Sequence, residues 1–94
     1  MATMTQRAAW MHSADHRILD YLQRERPDYA PLIANRLGMH LKYVEERIDV
    51  LCTYGLLEAI SGEVVYRITD RGVAYLEGEI DPTTLTPEYG ETEA

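Results

Sequence analysis

Between residues 40 and 47 the chain sets out side chains whose groups fit the edges and phosphates of a duplex: His40, Lys42, Tyr43, Glu46 and Arg47. Lys42 and Arg47 can donate to guanine O6 and N7, the arginine in two-pronged fashion, and Glu46 can accept from cytosine N4. Tyr43 can pack on a thymine methyl or bond a phosphate, and His40 can reach a phosphate. The competing reading of Glu46 is a solvated helix face that orients Arg47 or Lys42 without touching DNA. Arg36, Arg67 and Arg71 are candidates for phosphate clamps, contacts that position a protein without reading sequence.

Other chemistry finds no support in the residue pattern. There is no Gly-rich phosphate loop and no serine with a plausible base and orienting acid, so an enzyme is not expected. His12 and His16 stand four apart, a spacing that can clamp a metal on one helix face. No third ligand is placed beside them, so solvated first-turn histidines are expected and no metal or other cofactor. The single Cys52 rules out an internal disulfide framework and reads as a packed thiol in a reducing cytoplasm.

The elements that must position these side chains are legible from periodicity. In residues 30–57, APLIANRLGMHLKYVEERIDVLCTYGLL, Leu32, Ile33 and Leu37 give a short helix its apolar stripe, with Pro31 in the first turn. Gly38 ends it by the left-handed conformation a helix C-terminus commonly needs. A second, longer helix over about residues 41 to 54 carries Val44, Ile48 and Leu51 at i, i+4 and i+7, and Tyr54-Gly55 stops it. Two helices joined by so short a glycine-containing turn make a helix-turn-helix, whose second helix is the one offered to a major groove.

Around that unit lie an earlier helix, a hairpin and a last helix. Ser13 is the expected N-cap of the first, with Asp15 in its first turn and Ile18, Leu19 and Leu22 facing inward. Residues 57–60 and 64–68 are β-rich, and Ser61-Gly62 between them suits a tight turn, with Glu63 completing the tip. Thr69 caps a helix over residues 70–77 in which Val73, Ala74 and Leu76 are apolar. The segment Ala8-Ala9-Trp10-Met11 needs something to cover Trp10, either its own domain or a second subunit. Trp10, Met11, Val73, Leu76 and Ile80 are therefore the candidates for a homodimer contact.

The residues that carry a family resemblance are Ile33-Ala34, Leu37-Gly38, Val44, Ile48, Leu51, Tyr54-Gly55-Leu56-Leu57 and Tyr66-Arg67-Ile68-Thr69-Asp70-Arg71-Gly72. Spanning about residues 13 to 78, they resemble the winged helix-turn-helix regulators of archaea and bacteria. RAAWM, YGLLE, YRITDRG and YLEGEID are similar to segments of the small phage-repressor-like proteins of haloarchaea. The resemblance implies a mainly α fold with a small β-hairpin: a three-helix core, a wing and a C-terminal helix. It also implies a sequence-specific, repressor-like transcriptional regulator that binds double-stranded DNA. The domain reading is an apolar extension over 1–12, the winged helix over 13–80 and an acidic, mobile tail over 81–94.

Charge runs against a simple DNA binder. The net charge of −7 concentrates at the C-terminus: residues 77–94 hold six acids and no base, leaving ten acids against nine bases in the rest. Eight of those nine bases are Arg and one is Lys, a balance like that of proteins adapted to molar salt. In about 1 M salt the Debye length is about 3 Å, so long-range repulsion from phosphate is largely screened. The wing tip, Ser61-Gly62-Glu63, lacks the basic residue such proteins often carry there. These departures support the alternative of a winged-helix module for protein partners. No apolar run is long enough to span a membrane, and a cytoplasmic protein is expected.

Overall fold

The computed structural model describes residues 8–25, 27–60 and 65–87. The elements run α1 (Ser13–Arg24), β1 (Asp28–Tyr29), α2 (Ala30–Leu37), α3 (Leu41–Thr53), β2 (Leu57–Ala59), β3 (Val65–Ile68), α4 (Asp70–Leu76) and a 3-10 turn over Pro82–Thr84. β3 lies between β1 and β2, antiparallel to both, with Asp28 opposite Tyr66 and Glu58 opposite Arg67. Three helices, the small sheet and α4 enclose one core of Ile18, Leu19, Leu22, Ile33, Val44, Ile48, Leu51, Leu56, Leu57 and Tyr75. The fold is the expected winged helix-turn-helix. No described helix is long and apolar enough to cross a membrane.

The turn between α2 and α3 forms as its glycine demands. Gly38 has φ 68°, and its amide donates to the carbonyls of Ala34 and Asn35, satisfying the last turn of α2. Arg17, reaching over from α1, donates to the Leu37 carbonyl at 3.0 Å and so fixes the end of α2 against α1. Leu32, expected on the buried stripe, is instead 40% exposed, while Ile33 and Ala34 turn inward.

The far end of α3 is tied to α4 through Thr69. Its hydroxyl donates to the Gly55 carbonyl at 2.7 Å and accepts from the Gly72 amide at 3.0 Å, the expected N-cap of α4. Gly72 is there because α4 presses on the strands. A Cβ at that position would stand 2.6 Å from Ile68 Cγ1 and nearer still to the Leu56 carbonyl oxygen.

The structure corrects three expectations and adds one element. The N-cap of α1 is His12, not Ser13, and the Asp15 carboxylate closes the cap by accepting from the His12 amide at 2.9 Å. β1 was not anticipated: two residues carry no period to read. Residues 8–12 do not stand apart from the domain, since Ala8 and Met11 are 6% exposed and belong to its core. Residues 82–87 are likewise placed, with Pro82 buried and Leu85 packed on the core. The wing tip Ser61-Gly62-Glu63 and the tail from residue 88 onward lie outside the described residues.

Candidate nucleic-acid interface

α3 divides cleanly into a buried and an open side. Val44, Arg47, Ile48 and Leu51 face the core, whereas Lys42, Glu45, Glu46 and Asp49 are exposed. At 3.6 residues per turn those four exposed positions lie on the side opposite the core. Lys42 forms no ion pair among the described residues. His40 occupies the N-cap position with its ring exposed and making no cap bond. Leu41, beside it, is 40% exposed.

Tyr43 sits on the flank of this open side. It is half-buried, and its hydroxyl meets His12 Nδ1 at 2.7 Å. His16, the other histidine of the i, i+4 pair, lies edge-on to Tyr75 with ring centroids 6.1 Å apart.

Arg47 is not a base reader in this structure. Its Nε donates to Asp15 Oδ1 and its Nη2 to Asp15 Oδ2, both at 2.8 Å, and Nη2 also donates to the Trp10 carbonyl at 2.9 Å. Asp15 is fully buried and Arg47 is 8% exposed. The cause is position: Val44, Arg47, Ile48 and Leu51 stand at i, i+3, i+4 and i+7, so Arg47 belongs to the inward stripe. A buried guanidinium needs a buried carboxylate, and Asp15 on α1 supplies it. That hydrogen-bonded carboxylate raises the Arg47 pKa above its ordinary value. The signal available in the sequence was a charged residue at a core register with an acid at the third position of another helix.

The phosphate candidates occupy three places. Arg36 is exposed in the last turn of α2, Arg71 is exposed in the first turn of α4, and Arg67 is exposed on β3. Arg67 Nε donates to Glu58 Oε2 across the sheet at 2.6 Å, so any phosphate must compete with that carboxylate. In α1, Arg24 pairs with Asp20 at 3.2 Å on an open surface, a contact worth about 0.3–0.5 kcal/mol.

The dimer candidates also separate. Met11 is in the chain's own core, and Trp10 lies flat on Tyr54 with ring centroids 3.8 Å apart and planes 1° from parallel. Met11 is therefore no open apolar surface, and Trp10 is half-buried with one ring face covered by Tyr54. Val73, Leu76 and Ile80 are half-buried. Cys52 is half-buried as well, and burial pushes its thiol pKa up to about 11.

Over residues 4–88 the chain matches the family model of the winged helix-turn-helix phage repressor. No curated protein matches it. Among solved structures, the PhiH1 repressor-like protein from Haloarcula marismortui is 30% identical with a TM-score of 0.80, covering 92% of this chain and 99% of that one. The Cyprinid herpesvirus 3 ORF112 Zalpha domain, solved for its binding mode to Z-DNA, is 20% identical with a TM-score of 0.58 over 63% of this chain and 98% of that one. Oxidized MarR from E. coli is 18% identical with a TM-score of 0.66, over 74% of this chain and 53% of that one. The last two share the fold alone.

Proposed function

Because the chain belongs to the winged helix-turn-helix phage repressor family, we propose that it is a sequence-specific DNA-binding transcriptional regulator, repressor-like in action, which lays α3 in a major groove. The observation that carries this reading is the open side of α3, where Lys42 is exposed and forms no ion pair among the described residues while Arg47 behind it is locked to α1. Lys42 donates to a guanine edge, Glu46 accepts from a cytosine amine, and His40 and Tyr43 flank them. Arg36, Arg67 and Arg71 hold phosphates. Arg47 takes no part in contacting DNA.

The working form is a homodimer that uses the half-buried apolar residues Val73, Leu76 and Ile80 and presents two copies of α3 about 34 Å apart. Sedimentation mass tests the dimer independently of DNA. The acidic, Arg-biased composition is that of a chain that works in concentrated salt, inside the cytoplasm.

Binding of genomic fragments against random DNA, in high-salt buffer, tests the reading directly. Lys42→Ala should weaken the preferred fragment by about tenfold to a hundredfold, the value of one good base contact, with an unchanged melting temperature. A wild-type protein that prefers no fragment would end the proposal.

One observation favours a second reading. Three carboxylates, Glu45, Glu46 and Asp49, share the open side with a single ammonium, which suits a basic protein partner better than a polyanion. Under that reading Glu45→Gln and Asp49→Asn abolish partner binding and Lys42→Ala is silent.

A further inference from the structure

Two residues ahead of α1, Trp10 and His12, touch α3 between its first turn and its C-cap. The His12 ring meets the Tyr43 hydroxyl in the first turn, with ring centroids 5.9 Å apart. The Trp10 carbonyl accepts from Arg47 in the middle, and the Trp10 ring covers Tyr54 at the C-cap. Met11, between them, points the other way into the core and anchors the segment. Positions 43, 47 and 54 fall on one stripe of the helix, four and eleven residues apart. That stripe is about 16 Å long at 1.5 Å per residue. Three extended residues reach only about 10 Å, so the large rings of Trp10 and His12 supply the remainder.

The stripe borders the open side, between the core residues and Glu46. Any roll or tilt of α3 against α1 must break the stack, the carbonyl contact or the histidine–tyrosine bond. The Trp10 Nε1–H is buried and has no hydrogen-bond partner among the described residues.

We propose that Trp10 and His12 are positioning residues for DNA reading, a splint that sets the roll of α3 and holds Tyr43 without itself supplying the base contacts. This rests on the regulator reading of α3 given above. His12 suits the test because its side chain is exposed, so its removal does not open the core.

The experiment uses the full chain as wild type, His12→Ala, His12→Asn, Tyr43→Phe and the double variant His12→Ala/Tyr43→Phe, with Trp10→Ala as a second lesion in the same segment. Melting temperature, amide hydrogen exchange of α3 without DNA, and the affinity ratio of a preferred genomic fragment to random DNA are measured on each. For His12→Ala the expected result is an unchanged melting temperature, faster exchange in the first turn of α3 and a ratio lower by about tenfold. Asparagine places an amide where Nδ1 stood and should restore both readouts. Tyr43→Phe should lose as much as His12→Ala, and the double variant no more than either. Trp10→Ala should speed exchange at the other end of α3 and lower the ratio again.

Unchanged exchange in His12→Ala overturns the splint. Faster exchange with an intact ratio overturns its role in reading. Losses that multiply in the double variant mean two independent contacts, and also overturn it. A wild type without any fragment preference removes the regulator reading first, and is recognised before a variant is compared.

Discussion

Arg47 shows how a residue with DNA-reading chemistry can be given over to the interior. A fork of two 2.8 Å bonds to Asp15, with a third bond to the Trp10 carbonyl, uses the guanidinium to join α1, α3 and the segment before α1. A buried pair of this kind adds little net stability over apolar residues of the same shape, but half of it is costly. Arg47→Met should therefore destabilise the fold by about 3–5 kcal/mol in urea titration, since it strands the Asp15 carboxylate. Adding Asp15→Asn removes that charge while keeping an acceptor for the His12 amide, and should restore at least half of the loss. The inward place of Arg47 is legible in the sequence, since it shares the register of Val44, Ile48 and Leu51. Helical period, not charge type, decides which way this side chain turns. Lys42, at an outward register, is exposed as its position dictates.

The elements were legible wherever a period or a cap could be read, and lost where neither existed. α2, α3 and α4 begin and end within a residue or so of their expected bounds because Gly38, Gly55 and Thr69 mark them. β1 is two residues long and is made by its partner strand and by the Tyr21 hydroxyl, which donates to Asp28 at 2.6 Å. No local pattern announces a bond between α1 and a strand that the strand itself barely forms. That bond to a carboxylate, aided by burial, raises the Tyr21 pKa above its usual value. The folded chain keeps this phenolic proton at a pH where the unfolded chain has shed it. The associated stability is thus complete below about pH 10 and is lost as pH rises through the folded value. Tyr21→Phe should flatten the alkaline limb of a stability–pH profile, in part only, because Cys52 with its thiol near 11 and the raised Tyr66 contribute the same sign. At the other end of the domain, Gly72→Ala should cost about 1–3 kcal/mol by forcing α4 off Ile68 and the Leu56 carbonyl, measured as a shift in the urea midpoint at unchanged slope.

For the whole molecule the fold was readable and the assembly was not. Apolar periodicity fixes which faces pack within a chain, but the same residue types serve a core and a subunit contact. Met11 and Trp10 were candidates for the second and take part in the first. Charge is a property of the whole chain too, and it bears on how DNA would be held. With Arg36, Arg67 and Arg71 of both protomers as the phosphate contacts, log affinity should fall with log salt at a slope of about −5, at roughly −0.9 per phosphate. Titration of binding against potassium chloride measures it. A slope near −3 would mean that the arginines of one protomer alone hold phosphates.

The clasp between Asp15 and Arg47 has one more consequence. It relieves the outer edge of α3 of any duty to the interior. Lys42, Glu45, Glu46 and Asp49 can be exchanged as a set without disturbing how the helix is seated, while the two clasped residues can change only together. On the proposed regulator reading, a lineage built this way is retargeted to a new operator by rewriting four letters, with the scaffold carried along unaltered.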